Sequence, residues 1–131
     1  MADRSFQCSV VTLGKQVYDD KVDVVTIPAH DGEMGIMFNR APLVCRLGTG
    51  ILRIRKGIHE QKWFVDGGFA HVLDNSVLVL TEQALRAEQI DRKRAEELLG
   101  QARGMKVTDE DSARKRAHAE SVARVQLRIL S

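Results

Sequence analysis

The sequence predicts a β sandwich followed by an α-helical hairpin, and three observations predict it. Short apolar stretches with period-2 alternation recur from Phe6 onward at a spacing of roughly 8 to 12 residues, each bounded by turn residues. Beyond Glu82 the apolar period lengthens to about 3.6, the period of a helix. Every aromatic residue (Phe6, Tyr18, Phe38, Trp63, Phe64, Phe69), both prolines and eight of the ten glycines precede Leu80. Large aromatic side chains supply much of the area a domain buries, so the tail cannot form an interior of its own and must lie on a borrowed surface. The expected units are a sandwich over residues 1–84 and a hairpin over residues 85–131.

The strands follow from alternation. Phe6, Cys8 and Val10 alternate with Gln7 and Ser9, and Leu52 and Ile54 alternate with Arg53 and Arg55, the mark of half-buried strands. Turn residues lie between such stretches at Gly14-Lys15, Asp19-Asp20, Asp31-Gly32, Gly48-Thr49-Gly50, Lys56-Gly57, Gly67-Gly68 and Asp74-Asn75. Val24 to Ile27 and Val77 to Leu80 are apolar on both faces and are expected to be central strands.

A first helix is expected from about Asp91, a good N-cap, to Arg103, with Gly104 as its stop. Its apolar stripe is Ala95, Leu98, Leu99 and Ala102. Thr108-Asp109-Glu110-Asp111 reads as the next N-terminus, with Thr108 as cap and acids where the helix dipole favours them. The second helix runs to about Ile129, with Val122, Val125 and Ile129 on one face and Ala113, Ala117 and Ala119 small enough for close helix approach.

Composition excludes several classes of function. The chain of 131 residues is 44% apolar and 29% charged, as in a soluble globular protein. Its longest apolar runs fall far short of the roughly 20 residues that span a bilayer. Met1 to Ser5 carries no basic stretch followed by an apolar region, so the protein is expected to stay in the compartment where it is made. Cys8 and Cys45 are far apart and form no metal or redox pair, and both are expected as small core side chains. Phosphate-loop, nucleophile-elbow and His-x-x-x-His patterns are lacking, so no catalytic residue and no metal site is expected. His30, Asp31 and Glu33 read as a polar turn, and His59, His71 and His118 as surface residues. Basic and acidic side chains balance nine to nine up to Leu80, but the tail has eleven basic against nine acidic, clustered as Arg92-Lys93-Arg94 and Arg114-Lys115-Arg116.

The run Asp31-Gly32-Glu33-Met34-Gly35-Ile36, followed closely by Ala41-Pro42-Leu43-Val44, resembles the epsilon subunit of the F-type ATP synthase. Three further stretches keep the family's order: Gly50-Ile51-Leu52-Arg53-Ile54, Gly67-Gly68-Phe69-Ala70, and Ile90-Asp91-Arg92-Lys93-Arg94-Ala95. The similarity runs from about Phe6 to Ile129. It implies a β sandwich with a two-helix hairpin, and a non-catalytic rotor subunit bound to the gamma subunit and to the polar loops of the c ring. It also implies a hairpin that either folds on the sandwich or extends toward the catalytic beta subunits and restrains ATP hydrolysis. No cofactor is required. The synthase context implies the cytoplasmic face of the bacterial plasma membrane, with membrane contact only through the complex.

Specific residues follow from the resemblance. Glu33, Arg40, Ala41 and Pro42 fall at the interface with the c ring and gamma, although Phe38-Asn39-Arg40 stands where the family commonly has Pro-Gly-His. Arg114, Lys115 and Arg116 are the hairpin charges expected to meet acidic segments of beta. As extended helix, residues 91–130 would reach roughly 60 Å at 1.5 Å per residue. Asp91, Arg94, Ala95, Arg124 and Arg128 match the positions that bind ATP as a regulatory ligand in some bacterial members, but Leu85 stands where those carry a glutamate. Asp91 also reads as an N-cap and Arg94 as a solvated helix residue. Two other functions compete: a nucleic-acid-binding module using the basic hairpin, and a stand-alone ATP sensor. Against the first, acids nearly balance the bases and the tail offers no aromatic to stack on bases; no nucleic-acid partner is expected.

Overall fold

Alternation along each strand gives every strand one apolar edge to bury, and two sheets stacked face to face are the arrangement that buries them all. The computed structural model describes residues 3–131. In chain order the strands are β1 (Phe6–Thr12), β2 (Lys15–Val22), β3 (Val24–Ala29), β4 (Gly32–Ile36), β5 (Leu43–Arg46), β6 (Thr49–Lys56), β7 (His59–Asp66), β8 (Phe69–Leu73), β9 (Ser76–Thr81) and β10 (Ala84–Arg86). A single 3-10 turn, Ala87–Gln89, leads to α1 (Arg92–Arg103) and α2 (Glu110–Ile129). One sheet has the order β2-β1-β9-β8-β5 and the other β10-β7-β6-β3-β4. All pairings are antiparallel except β1 with β9, which run parallel. No helix among the described residues is long and apolar enough to cross a membrane.

The inner faces interlock into one core. Cys8 and Val10 of β1, Ala70 and Val72 of β8, and Val77 and Val79 of β9 meet Val25 and Ile27 of β3, Leu52 and Ile54 of β6, and Trp63 and Val65 of β7. Tyr18 of β2 and Trp63 of β7 close one side edge-to-face, with ring centroids 5.9 Å apart and planes at 76°. Burial, and then the nearby Asp19 carboxylate, pushes the Cys8 thiol up to about 12. It is therefore an inert core side chain rather than a nucleophile.

Val77 to Leu80 lies in the middle strand of its sheet, and Val24 to Ile27 lies one strand in from the edge. Asp19-Asp20, expected as a turn, is instead part of β2. That edge strand accommodates both acids because their carboxylates find donors there. Asp19 accepts from Gln7 and Ser9 of β1, and Asp20 accepts from Lys56 Nζ at 2.8 Å. The boundary expected between residues 84 and 85 lies within β10, whose Ala84 to Arg86 pair with Val65 to Trp63 of β7.

The helices begin where local chemistry caps them. Asp91 Oδ1 accepts from the backbone N–H groups of Lys93 and Arg94, and α1 stops at Gly104, which keeps right-handed helical geometry at φ −84°. The cap of α2 is Asp109, not Thr108. Asp109 Oδ1 accepts from Ser112 N at 2.8 Å, and the Ser112 hydroxyl accepts from Asp109 N and from Thr108 N, so the reciprocal box closes one residue later. Among the small residues, Ala95, Ala102 and Ala123 are fully buried, Ala113 and Ala119 are half-buried, and Ala117 is exposed. On α2 the fully buried small residue is Ala123, farther from the interhelical turn than Ala113, Ala117 and Ala119. There Arg92 Nη2 of α1 also donates to the carbonyl of Leu130 at 2.8 Å.

Gly68 has φ +104°, and a Cβ there would stand 1.8 Å from the carbonyl oxygen of Leu80. Positive φ and this close approach of β9 both demand glycine. Gly68→Ala is expected to destabilise the sandwich by about 3 kcal/mol, which a thermal melt of the purified chain would register as a lowered Tm.

Candidate functional site

The outward residues of the second sheet form the first functional surface. Ile51 of β6, Phe64 of β7 and Leu85 of β10 project away from the core and meet Val122, Val125, Ile129 and Leu130 of the hairpin, together with Ala87 and Ile90 of the connection. This seam is an apolar cluster distinct from the sandwich interior. Strand periodicity explains it. Residue 51 precedes the inward Leu52, residue 64 lies between the inward Trp63 and Val65, and residue 85 follows the inward Ala84, so all three point outward. Phe64 points away from the sandwich core and is fully buried among the seam residues of the neighbouring strands, the connection and the hairpin.

A polar bond lies beside the seam. Nε2 of His118 on α2 is 2.8 Å from Oδ1 of Asp66 at the end of β7. His118, expected as an isolated surface residue, is thus half of a hairpin-to-sandwich bridge. Asp66 gave no signal in sequence, since it abuts a Gly-Gly turn and reads as part of it.

The residues matched to nucleotide binding are placed on exposed helix faces, apart from Ala95, which is buried between the helices. The carboxylate of Asp91 caps α1, Arg94 lies 3.8 Å from Glu97, and Arg124 pairs with Glu120 at 3.3 Å. Arg128 lines a groove of about 400 Å³ with Glu33 and Arg53. Leu85 sits in the apolar seam, so the position at which a carboxylate would face a nucleotide here holds the hairpin by contact. The hairpin charges are likewise occupied. Arg114 and Lys115 reach Asp111 at 3.9 and 3.1 Å, and Arg116 pairs with Glu120 at 3.0 Å.

Glu33 on β4 forms an ion pair with Arg53 at 3.1 Å on the same outer face as the hairpin. Arg40, Ala41 and Pro42 are exposed in the β4–β5 connection, where Nη2 of Arg40 lies 3.9 Å from Sδ of Met34. Phe38 tucks against the core while Met37 beside it is 62% exposed. Asn39 takes φ +65°, its N–H donating to Asn75 Oδ1 at 2.7 Å. The loop thus holds its shape by a turn and an amide clasp in place of a proline and glycine. Among the described residues no group of His, Cys, Asp and Glu is placed to hold a metal ion.

The outer face of the first sheet is the second surface, and sequence reasoning missed it. Phe69 and Leu80 lie opposite each other in the β8–β9 register and are 53% and 44% exposed; Val44, Leu73 and, at the β1–β2 tip, Leu13 are exposed with them. Contiguous exposed apolar surface is where partner proteins dock, so this stripe is a candidate contact face. The available signal was β9, apolar on both faces with a helix over neither.

The sandwich matches the family model described as ATP synthase, Delta/Epsilon chain, beta-sandwich domain, over residues 5–87. The chain is 39% identical over 124 residues to the ATP synthase epsilon chain of Rhodopirellula baltica, covering 95% of this chain and 97% of that one. To the epsilon chain of Pelotomaculum thermopropionicum it is 41% identical over 96 residues, covering 73% and 72%. Its fold superposes on a chain of the Euglena gracilis mitochondrial ATP synthase, solved with OSCP, F1 and c-ring, with a TM-score of 0.86 and 25% identity, covering 97% of this chain and 82% of that chain. A chain of the Tetrahymena thermophila mitochondrial ATP synthase central stalk and c-ring has the same fold, with a TM-score of 0.71, at 14% identity and 95% and 96% coverage.

The hairpin meets the platform through this apolar seam and the His118–Asp66 contact. Val125→Asp places a carboxylate in an apolar contact, where an unpaired polar group costs about 1–3 kcal/mol or more. Hydrogen exchange is expected to accelerate throughout α2 while the inner strands β6, β7 and β9 keep their protection.

Proposed function

Because this chain belongs to the ATP synthase epsilon-chain family, we propose that it works as a non-catalytic central-stalk subunit of an F-type synthase, coupling shaft to ring and restraining hydrolysis through its hairpin. The observation that carries this reading is the division of labour between the two sheets. One outer face is closed by the hairpin, and the other presents the apolar stripe of Phe69, Leu80, Val44 and Leu73, exposed among the described residues. The occupant proposed for that stripe is the gamma subunit, whose long-lived contact with a rotor part calls for apolar burial. The exposed loop of Arg40, Ala41 and Pro42, with Glu33 nearby, is proposed to meet the polar loops of the c ring. Membrane contact is then indirect, with the subunit peripheral on the cytoplasmic face of a bacterial plasma membrane. The assembly of the Euglena relative with F1 and c-ring supports a peripheral place in a membrane complex.

Release of the hairpin exposes one amphipathic face and frees charges that are paired internally when it is docked. Arg114, Lys115 and Arg116 would exchange Asp111 and Glu120 for acidic groups of the catalytic beta subunits, a swap of similar pairs that costs little either way. Apolar contact dominates the docked state, so docking requires no nucleotide. ATP as a regulatory ligand would have to compete for Asp91, Arg94 and Arg124, each already engaged, with Arg128 the most available cation.

Two measurements test this reading. Truncation should follow Gln89, which leaves β10 paired in its sheet; in the assembled synthase it is expected to raise ATP hydrolysis several-fold, with co-purification of gamma retained. Leu80→Asp in the full chain should abolish that co-purification without melting the sandwich, and retained gamma would overturn the assignment of the stripe. For nucleotide, calorimetry of the full chain with ATP is expected to give no more than weak heat, unchanged in Arg94→Ala. Tight binding lost in that variant would instead favour a nucleotide-held hairpin.

A further inference from the structure

The bond between His118 and Asp66 differs in kind from the seam beside it. An apolar contact is indifferent to pH, whereas histidine is the side chain that changes charge between about pH 5 and 8. Its acceptor is held ready by the platform. Oδ1 of Asp66, which receives His118 at 2.8 Å, also accepts from Thr49 Oγ1 at 2.7 Å, and the Asp66 side chain is only 14% exposed. Asp66 N–H donates to the Thr81 hydroxyl and to the Gln83 carbonyl, both at 3.2 Å, so β6 and the segment after β9 fix the carboxylate before the hairpin arrives. Among the described residues no other side-chain hydrogen bond or ion pair joins α1 or α2 to the sandwich.

The surrounding charges are few. The cleft at this end of the sandwich, about 760 Å³, is lined by His30, Arg46, Asp66 and Glu82 from the sandwich and by His118 from α2, with no residue of α1. One turn back along α2, Arg114 and Lys115 are paired with Asp111. One turn forward, Ser121 and Val122 carry no charge. His30 is the other histidine of this cleft, so it is the group to separate from His118.

We propose that His118 and Asp66 form a proton-operated latch that sets how firmly the hairpin is docked. With the imidazole protonated, its cation clasps the fixed carboxylate. Loss of that proton leaves at most a neutral Nε2–H donor, and the ionic attraction goes. The ionic part of the contact is therefore present at acid pH, where the imidazole carries its second proton, and absent at alkaline pH, where it does not. Because His118 is 58% exposed, solvent screens the pair, and the docked-to-released ratio is expected to fall about two- to fivefold across the transition. The effect on a synthase rests on the hairpin reading above: a higher pH would release the arm more readily.

The test uses the free full-length chain. Amide protection of α2 between pH 5.5 and 8.5, corrected for intrinsic exchange, reports the released fraction, since isolated helices are marginal in water. Protection should fall about two- to fivefold in the native chain. His118→Gln should stay flat at the high-pH value, His118→Arg flat at the low-pH value, and His30→Gln should respond like the native chain. A response that survives in His118→Gln, vanishes in His30→Gln, or is absent from the native chain would overturn the latch. A latch confirmed here alongside unchanged hydrolysis in the truncated synthase would sink the inhibitory reading alone.

Discussion

The tail of this protein cannot bury itself. α1 and α2 pack on each other through Ala95, Ala102 and Ala123, whose side chains are too small to make an interior, so the remaining apolar side chains of α2 must find a surface elsewhere. The sandwich provides one by setting Ile51, Phe64 and Leu85 outward on adjacent strands. Each of those positions would be a misplaced hydrophobe in an isolated sandwich. In the whole chain they form the seat of an arm. The five buried side chains of the seam contribute about 1.5–3 kcal/mol each, roughly 10 kcal/mol gross, and the ordering of the helices offsets most of it to leave a net of a few kcal/mol. Equilibria of that size are shifted by modest differences in affinity between partners.

The same platform leaves its other outer face bare. Phe69, Leu80, Val44 and Leu73 cannot be covered by the hairpin, which occupies the opposite sheet. A β sandwich has two outer faces, and the hairpin covers one of them, so the two faces of this platform differ in what they expose. Polar groups follow the same economy. Arg114, Lys115, Arg116 and Arg124 of α2 are paired along their own helix, and the Asp91 carboxylate caps α1. Leu85 completes the pattern, placing an apolar contact beneath the hairpin.

Alternation in Phe6-Gln7-Cys8-Ser9-Val10 and the change of period after Glu82 were legible in the sequence because they reflect local geometry, two residues per repeat in a strand and 3.6 in a helix. The helix stop at Gly104 and the acidic cap of α1 were legible for the same reason. Asp19-Asp20 misled because acids resemble turn formers until an edge strand supplies Gln7, Ser9 and Lys56 as donors. The α2 cap was displaced by one residue because Ser112, three positions beyond Asp109, outweighs Thr108 once side chains close the box.

What the sequence determined alone was the kind of each element and the family to which the chain belongs, since both are written in periodicity and in ordered short motifs. Tertiary structure decided which outward face is covered, that Leu80 and Phe69 meet across two strands, and that His118 reaches Asp66 over a separation of 52 residues. Those are long-range pairings, and the energy that selects them arises only after the sheets have stacked and brought distant residues within contact distance.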